Sequence, residues 1–589
     1  MYNVESSAIV NMYAKTILFV FATLLPATIF GQSDAETWFK GGNFYQIYPR
    51  SFKDDNNDGI GDLKGIISKL EYLKDIGIDG VWLSPIYQSP MVDFGYDISD
   101  FTQIQPEYGT LEDFEELAEN CKRLGVRLIL DFVPNHTSDQ HEWFIKSVNK
   151  EEGYENFYVW HPGKVNETTG ERSPPSNWLS AFRYSAWEWN EKRQEYYLHQ
   201  FAIQQPDLNY RNPEVLKKMN EVLIYWLEKG VSGFRIDTIP SLYEVAPDEN
   251  GNLPDELPSG KCDDPDASCY LKHIYTYDQD ETYDVVYEWR ELLNKFHADN
   301  GGDQPILMTE AYSDLNHIVR YYGNGQRNGS QIPFNFHLLA KVNRNSKAAD
   351  YKKLIEEFLQ AVPSDCEANW VLGNHDQKRV ASRLGEKRVD LYNILLKTLP
   401  GISITYAGEE IGMTDVIISW EDSVDPQALN TNETTYYAFS RDPARTPFQW
   451  DESKNAGFNR GNKTWLPIST NYKCVNVRTE STQPKSHLNV YKRLIKLRKE
   501  AGLGAASYES ELFGEIYTYK RQNDSLKPII VALNFGNSWT TIDVSARYGV
   551  SESLKVVTAS TESQYEEGQI INGTRLTLPN DVGIVLTTV

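Results

Sequence analysis

Arg127-Leu-Ile-Leu-Asp131-Phe-Val-Pro-Asn135-His136 is an apolar run that ends in polar and charged residues. Three further stretches repeat this pattern: Gly233-Phe-Arg235-Ile-Asp237, Leu307-Met-Thr-Glu310 and Val371-Leu-Gly-Asn-His375-Asp376. Apolar residues fit a strand that is buried on both faces, whereas Asp, Glu, His and Arg are rarely buried without partners. In a barrel of parallel strands that alternate with helices, catalytic groups come from the carboxyl ends of different strands. The four stretches therefore predict one shared pocket.

The wider pattern predicts a complete α/β barrel. Eight strand-like runs alternate with helical patterns, which is typical of an eight-stranded (β/α)8 barrel. The predicted strands are Tyr45–Tyr48, Gly80–Ser84, Arg127–Phe132, Ser232–Asp237, Pro305–Glu310, Ile332–Phe336, Trp370–Gly373 and Ile402–Ala407. The predicted helices are Leu63–Ile76, Leu111–Leu124, Pro213–Lys229, Glu281–Phe296, Tyr351–Ala361, Lys378–Thr398 and His487–Glu500.

Two segments do not follow this alternation of strands and helices. Residues 137–206 are rich in Trp, Tyr, Pro and Asn with little helical period, and we predict an inserted subdomain B beside the third strand. From residue 505 to 589 short runs with a period of two favour a C-terminal antiparallel β domain. The barrel is then predicted over 32–136 and 207–504, after a signal segment at 1–31.

Composition restricts the function classes. A chain of 589 residues with 40% hydrophobic residues is expected to form two or three globular domains. The net charge of −25 disfavours nucleic acid or anionic membrane as a partner and suits a protein that handles neutral ligands. Aromatic residues make up 13% of the chain, which would suit stacking against sugars but also serves large cores.

The amino terminus predicts secretion. The apolar run Thr16–Phe30 follows Lys15 and reads as a secretory signal, with Met12 as an alternative start and an uncleaved anchor as the competing interpretation. Asn-x-Ser/Thr acceptors predict a glycosylated extracellular protein. They are Asn166, Asn328, Asn432, Asn462, Asn523 and Asn572. Asn135 also matches this pattern but lies inside a strand-end motif, so we expect it to be buried.

The five cysteines are too few for a disulfide scaffold. Cys262 and Cys269 bracket a short Asp-rich loop and could pair in an oxidising compartment. Cys366 with Cys474 is a further candidate pair, which would leave Cys121 as a buried thiol on a helix.

The strand-end acids suit glycosidic bond cleavage with retention. That reaction needs one carboxylate to attack the sugar carbon and one carboxylic acid to protonate the departing oxygen, about 5 Å apart. Arg235 lies two residues before Asp237, on the same face of the strand, and is expected to hold the pKa of that nucleophile down. Glu310 has no cation nearby in sequence and is the better acid. Asp376 and two histidines would then bind hydroxyls, although each motif alone could be a strand-end ion pair.

Together these stretches resemble the α-amylase superfamily, glycoside hydrolase family 13, and within it the secreted α-glucosidases (maltases) of insects. The resemblance runs from about Trp38 to the C-terminus and includes Gln205-Pro-Asp-Leu-Asn209, a marker of the α-glucosidase branch, and Gly408-Glu-Glu-Ile-Gly-Met413. It implies that Asp237 is the nucleophile, Glu310 the acid/base and Asp376 the transition-state stabiliser.

The resemblance also implies a set of substrate-binding residues. Arg441 would close the pocket with Asp93, Arg445 being the competing choice, and Thr238 is of the type that accompanies α-1,4 rather than α-1,6 cleavage. The implied set is Asp93, Tyr96, His136, Phe182, Phe201, Gln205, Arg235, Thr238, His375 and Arg441.

Calcium is the expected cofactor, and no organic cofactor is expected. Oxygen ligands at alternate positions from residue 54 to 62 have the spacing of a calcium loop, although a helix–loop–helix site would need Glu where Gly65 stands. An acidic turn is the competing interpretation. The predicted ligands are Asp54, Asn56, Asp58, Ile60 and Asp62. A second site implied by relatives would use Asn135, Asp207, Ser241, Leu242 and Glu244.

The expected activity is a secreted retaining exo-acting α-glucosidase that hydrolyses maltose, sucrose and short malto-oligosaccharides. Two rivals remain. One is a catalytically weak carbohydrate-binding or receptor protein on the same scaffold, as in the heavy chains of amino-acid transporters, and the other is an α-amylase or α-1,6-glucosidase. A pocket blocked by Asp93 and Arg441 would exclude an endo-acting amylase, and an open cleft would favour one.

Overall fold

The computed structural model describes residues 35–524 and 526–589, so the predicted signal segment 1–31 lies outside the described residues. Eight parallel strands form one sheet. Their bounds are β1 Asn43–Ile47, β2 Gly80–Leu83, β3 Arg127–Phe132, β4 Gly233–Ile236, β5 Ile306–Thr309, β6 Ile332–Pro333, β7 Asn369–Trp370 and β8 Ile402–Tyr406. Their spatial order is β6-β5-β4-β3-β2-β1-β8-β7. This order confirms the predicted barrel, with each strand close to its predicted position.

A side chain closes the gap between the first and last strands of this order. Asn369 Nδ2 donates to the Pro333 carbonyl at 2.6 Å, and its Oδ1 accepts from Asn335 N at 2.8 Å. The Asn369 amide therefore makes the two contacts that a backbone ladder would otherwise make between β6 and β7.

Helices cover the outside of the barrel. They are α1 Leu63–Ile67, α2 Leu70–Asp75, α3 Leu111–Leu124, α4 Pro213–Glu228, α5 Asp280–Asn300, α6 Ala348–Ala361, α7 Val380–Leu384, α8 Val389–Thr398 and α9 His487–Glu500. Shorter helices lie in the connections at Pro49–Phe52, Glu142–Val148, Leu315–Ile318, His337–Lys341, Pro426–Leu429, Tyr436–Phe439, Val477–Thr482 and Val544–Tyr548.

Two predicted helices are each divided in the structure. The predicted Leu63–Ile76 is split into α1 and α2 at Ser68 and Lys69. The predicted Lys378–Thr398 is split into α7 and α8 at Gly385, whose φ of 113° lies outside the helical region.

The barrel interior is filled by large apolar side chains from several strands. The cluster includes Phe44, Trp82, Ile129, Ile306, Met308, Ile332, Ile402 and Ile404, all nearly inaccessible to solvent. Inward-facing apolar residues of this kind fill a barrel as a core and leave function to its ends. The reactive groups accordingly lie at the carboxyl ends of the strands.

Residues 137–206 contain a three-stranded antiparallel sheet in the order Trp160–His161, Glu195–Leu198, Trp187–Asn190. Its aromatic residues stack on one another; Phe144 and Trp160, for example, have ring centroids 5.6 Å apart and nearly parallel planes. The helix Glu142–Val148 lies in this segment, where the sequence shows little helical period. The bounds assigned to this subdomain from the sequence stay a prediction.

A six-stranded antiparallel sheet follows the barrel. Its strands are β9 Ser507–Phe513, β10 Ile516–Gln522, β11 Ile529–Asn534, β12 Ser553–Ala559, β13 Ile570–Asn572 and β14 Gly583–Thr588, in the order β9-β10-β11-β14-β12-β13. The side chains of Tyr517, Val531, Leu533 and Val585 share a buried cluster with α8. The predicted C-terminal antiparallel sheet is thus confirmed, and it packs against the barrel.

The cysteines differ in part from the prediction. Cys262 and Cys269 form a disulfide, but Cys366 and Cys474 are free thiols, so that second candidate pair is wrong. Cys121 is a buried thiol, as expected. In the described part of the chain, no helix is both long and apolar enough to cross a membrane.

The predicted glycosylation acceptors lie at the surface, with one exception. Asn166, Asn328, Asn432, Asn462 and Asn572 are exposed, and Asn523 is half-buried. Asn135 is buried with 1% exposure, in agreement with its exclusion. Attachment of glycans stays a prediction.

Candidate active site

Arg235 on β4 lies at the centre of the site and holds three carboxylates. Its Nη1 donates to both Asp131 oxygens at 2.8 and 2.9 Å and to Asp237 Oδ1 at 2.5 Å. Its Nη2 lies 2.5 Å from Glu310 Oε2. The three acids come from β3, β4 and β5, which are neighbours in the barrel, so one guanidinium bridges three adjacent strand ends. Asp237 and Glu310 therefore lie side by side, as the sequence predicted.

The electrostatics of these acids differ from the expectation. Burial raises the pKa of Asp237, and although Arg235 acts in the opposite direction, the carboxylates of Asp131 and Asp376 add to the rise. Arg235 does lower the pKa of Asp237, as predicted, but burial has the larger effect, so the pKa lies above its usual value.

Burial raises the pKa of Glu310 as well, and the Asp237 charge contributes to that rise. The sequence showed no cation near Glu310, whereas the structure brings Arg235 to it across the strand pair. The expected direction for an acid is nevertheless found, because loss of hydration outweighs one shared guanidinium.

Asp376 has the opposite environment. Its Oδ1 accepts from Arg445 Nη2 at 2.9 Å and from Arg441 Nη1 at 3.4 Å, and its Oδ2 lies 3.4 Å from His375 Nε2. Burial raises its pKa, but the charges of Arg445 and Arg441, with a contribution from Arg235, more than offset this and lower the pKa well below the usual value. Asp376 therefore stays ionised beside these arginines.

The two predicted histidines are neutral contact groups. Burial lowers the pKa of His136 to about 3 and the pKa of His375 well below its usual value. His375 stacks on Tyr96 with 5.3 Å between ring centroids, and its Nδ1 lies 2.7 Å from Gln46 Nε2. His136 Nε2 lies 3.1 Å from Gln205 Nε2. Neutral imidazoles fixed in this way can exchange hydrogen bonds with sugar hydroxyls without carrying charge.

The structure pairs Asp93 with Arg441 and not with Arg445. Arg441 Nη2 donates to Asp93 Oδ1 at 2.7 Å, whereas Arg445 donates through Nε to the His375 carbonyl at 2.9 Å. The Phe182 ring lies under the Arg441 guanidinium, with 4.9 Å between its centroid and Arg441 Cζ, and it contacts the Phe201 ring. These contacts form one wall of the site.

Thr238 follows Asp237 in a strained conformation. Its φ of 39° and ψ of 40° are in the left-handed region, which is costly for a β-branched residue. This conformation directs its backbone N–H to Glu310 Oε2 at 3.1 Å. The strain thus helps to orient the second acid. An influence of Thr238 on linkage preference stays a prediction.

These groups surround one cavity of about 740 Å³. It is lined by Asp237, Glu310 and Asp376 and by all of the predicted substrate-binding residues except Arg235, which is buried beneath it. The disulfide loop contributes Ser268 to the wall, and its flanking residues Lys261 and Lys272 also line the cavity. Tyr312 and Phe439 add aromatic surface. A pocket of this size with convergent polar groups suits a small carbohydrate.

Several residues in the site were missed by the sequence reasoning. Asp131 was quoted in a strand-end motif but given no role, although its carboxylate also accepts from Trp82 Nε1 and Tyr96 OH. Tyr48 stacks on His375 with 5.5 Å between ring centroids. Asp425 contacts Arg441, and no motif in the sequence marks it. Asp131 could have been recognised from its position on β3, where it is paired with Arg235 of the neighbouring strand β4.

The predicted calcium loop forms a tight turn. Asp54 accepts from Asn57 N at 2.6 Å and Gly59 N at 2.9 Å, and Asp62 accepts from Gly65 N at 2.6 Å. The all-oxygen donor set suits a hard cation. Within residues 35–524 and 526–589, however, no group of three or more His, Cys, Asp or Glu residues has the arrangement to hold a metal. Calcium at this loop stays a prediction.

At the second predicted metal site an amide lies among the proposed ligands. Gln200 Nε2 donates to Asp207 Oδ2 at 2.7 Å and to the Ser241 carbonyl at 2.8 Å. Asn135 Nδ2 lies 3.3 Å from Asp207 Oδ1. Burial raises the pKa of Asp207 to about 8 and of Glu244 to about 7. Occupation of this site by calcium, with Leu242 as a further ligand, likewise stays a prediction.

The chain resembles known proteins along most of its length. Residues 46–505 match the alpha-amylase catalytic domain. Maltase A1 of Drosophila melanogaster is 54% identical over 96% of this chain and 99% of its own length, and the salivary alpha-glucosidase of Aedes aegypti is 50% identical over 96% and 98%. The solved structure of the trehalulose synthase MutB from Pseudomonas mesoacidophila superposes with a TM-score of 0.81 and 32% identity, covering 93% of this chain and 99% of that one. The barrel, the strand-end acids and these matches agree, and the chain belongs to the alpha-amylase family of glycoside hydrolases.

Proposed function

We propose that this chain is a secreted, retaining, exo-acting α-glucosidase. It removes the terminal glucose from maltose, sucrose and short malto-oligosaccharides, with α-1,4 preferred to α-1,6 linkages. The observation that carries the proposal is the pair of acids, Asp237 and Glu310, held side by side by one Arg235 guanidinium at the cavity floor. Retaining glycosidases need two carboxyl groups about 5 Å apart, and two acids bound to one guanidinium are neighbours of the kind this reaction requires.

In the first step Asp237 attacks the anomeric carbon of the terminal glucose. Glu310 gives its proton to the glycosidic oxygen, the bond between that oxygen and the anomeric carbon breaks, and the shortened sugar leaves. A glucosyl ester of Asp237 with inverted configuration remains. Burial raises the pKa of Glu310, which keeps its proton available.

In the second step a water molecule attacks the anomeric carbon and Asp237 leaves. Glu310, now a carboxylate, takes the proton of that water, and glucose is released with its original α configuration. Esterification removes the negative charge of Asp237, which is one cause of the raised pKa of Glu310. Forming the ester therefore lowers that pKa, and the same residue becomes a suitable base.

The other residues position the sugar. Asp376 remains ionised beside Arg441 and Arg445 and can accept bonds from sugar hydroxyls, and His136 and His375 are neutral hydrogen-bonding partners. The Asp93–Arg441 pair limits the pocket at one end, which supports removal of a terminal unit over cleavage inside a chain. These features disfavour the amylase alternative.

The relatives support the substrate class and the location. The names maltase and salivary alpha-glucosidase belong to proteins at least 50% identical to this chain, and we propose the same substrates and an extracellular location here. Calcium at residues 54–62 is proposed as a structural ion that takes no part in the chemistry.

The test is the configuration of the first product. Purified protein is mixed with methyl α-maltoside in D2O, because the reducing-end glucose of maltose itself would be released as both anomers, and the anomeric protons of the released glucose are followed by NMR from the first minute. We expect α-glucose to appear first and β-glucose only later, through mutarotation. If β-glucose appears first, the covalent mechanism is wrong. If no glucose is released, the enzyme proposal fails and the binding-protein alternative is favoured.

A further inference from the structure

Asp425 is a buried acid whose carboxylate pairs with Arg441. It is completely inaccessible to solvent and lies in the long connection that follows β8. Its Oδ1 accepts from Arg441 Nη2 at 2.6 Å and from Nε at 3.0 Å. Its Oδ2 accepts from the backbone N–H of the same arginine at 2.6 Å. Both ends of Arg441, main chain and guanidinium, are therefore fixed by one carboxylate.

Asp442 makes the reverse contact. Its Oδ2 accepts from Asp425 N at 3.1 Å, from Val424 N at 2.9 Å and from Ser423 Oγ at 3.1 Å. Each of two short segments thus places an aspartate on the main chain of the other. This reciprocal arrangement, which we call the Asp425–Asp442 lock, sets the backbone position of Arg441 independently of any substrate.

The same segment reaches the opposite wall of the cavity. Asn430 Nδ2 donates to the Phe182 carbonyl at 2.8 Å, and Phe182 lies beneath the Arg441 guanidinium. Arg441 Nη2 is therefore presented to Asp93 between a carboxylate on one side and an aromatic ring below. A guanidinium left without Asp425 would have Asp93 and, at 3.4 Å, Asp376 as its acidic partners.

We propose that Asp425 is a positioning residue that confines substrates to their terminal glucose, by holding Arg441 against Asp93. The inference rests on the proposed function, since it concerns the specificity of that same site. Without Asp425, Arg441 shifts toward Asp376, the contact with Asp93 loosens, and the end of the pocket opens. Binding of a terminal glucose then weakens, while chains that continue past the pocket are less strongly excluded.

The experiment compares two substrates in Asp425→Asn. One is a maltoheptaoside, and the other is the same compound with its non-reducing 4- and 6-hydroxyls blocked, which only internal cleavage can process. Asp422→Asn is the matched control, because Asp422 lies in the same connection, is exposed, and contacts Ser419. Wild type, both variants, Asp93→Asn and the Asp93→Asn/Asp425→Asn double variant are measured with maltose and with both heptaosides.

For Asp425→Asn we expect kcat/KM on maltose to fall about 10²-fold, mostly through KM, because one partner of a buried charge pair has been removed. We expect the rate of cleavage of the blocked heptaoside, relative to that of the unblocked one, to rise at least about tenfold. The loss of kcat/KM on maltose in the double variant should be smaller than the product of the losses in the two single variants, because both substitutions act through Arg441. Asp422→Asn should match wild type. A general loss of folding would lower cleavage of both heptaosides equally and leave their ratio unchanged.

An unchanged ratio with unchanged KM in folded Asp425→Asn overturns the proposal. If that variant does not fold, Asp442→Asn decides, since it loosens the Asp425–Asp442 lock while keeping Asp425; an unchanged ratio there overturns the proposal as well. Failure of the proposed function is separate, because wild type itself would then release no glucose from maltose.

Discussion

Asp237→Asn removes the charge of the proposed nucleophile while keeping its shape. The amide retains an oxygen in place of Asp237 Oδ1, which accepts from Arg235 Nη1 at 2.5 Å. The stability lost is therefore the difference between a charge-assisted and an ordinary hydrogen bond, about 1 kcal/mol. Against this, three buried carboxylates share one guanidinium, and removing one charge relieves repulsion of comparable size. The net change in the free energy of unfolding should lie within about 1 kcal/mol of zero.

The effect on catalysis should be far larger. Loss of a nucleophile removes the covalent route, and we expect kcat on maltose to fall by more than about 10⁴-fold. Glucose release is measured by a coupled assay, and the melting temperature by scanning calorimetry. As a matched control, Asp422→Asn makes the same chemical change at an exposed aspartate and should alter neither quantity.

Two outcomes would refute this reasoning. Activity within tenfold of wild type would mean that Asp237 is not the nucleophile. A melting temperature lowered by more than about 5 °C would mean that the carboxylate charge stabilises the fold, contrary to the electrostatic balance argued for Arg235.

Three other predictions follow from the geometry. Glu310 must carry a proton and its pKa is raised by burial, so kcat/KM should fall as the pH rises through that raised value. This alkaline limb of the pH profile should be lost in Glu310→Gln, measured with an activated substrate that needs no acid. A limb at the ordinary pKa of glutamate would contradict the burial argument. Cys262→Ser/Cys269→Ser opens a short loop whose flanking residues Lys261 and Lys272 line the cavity, so KM for maltotriose should rise more than kcat falls. The free energy of unfolding should drop by about 2.5 kcal/mol. Kinetic constants equal to those of wild type would show that the loop does not touch the leaving group. Prolonged chelation should lower the melting temperature of wild type but not of Asp58→Ala, while kcat changes little. An unchanged melting temperature in wild type would argue against calcium at residues 54–62.

The barrel could be predicted because its strands are buried on both faces. Such strands appear in the sequence as short apolar runs, and a polar residue after each run marks the exposed carboxyl end. The prediction of one pocket followed from topology alone, since parallel strands present these ends at one rim. The burial of the strands and their order in the sheet thus account for most of the predicted fold.

What the sequence could not reveal are contacts between distant side chains. Arg235 and Glu310 are 75 positions apart, and only the pairing of β4 with β5 brings them within 2.5 Å. Asn369 closes the barrel through its side chain, and Asp425 acts on Arg441 from within an irregular connection. No motif in the sequence marks Asn369 or Asp425, and the motifs that contain Arg235 and Glu310 do not show that these two side chains meet. Their roles depend on tertiary placement.

The distribution of cations among the acids accounts for the division of labour in the site. Around Arg235, three buried carboxylates share one positive charge, and such a cluster cannot keep all its acids ionised at low cost. A proton is retained there, and Glu310 is the group whose proton the reaction uses. Around Asp376, the carboxylate lies beside both Arg441 and Arg445, and although Arg441 also pairs with Asp93 and Asp425, the two charges keep Asp376 ionised. On one side of the pocket three acids share a single cation and retain a proton, and on the other side two arginines keep a permanent anion beside the sugar.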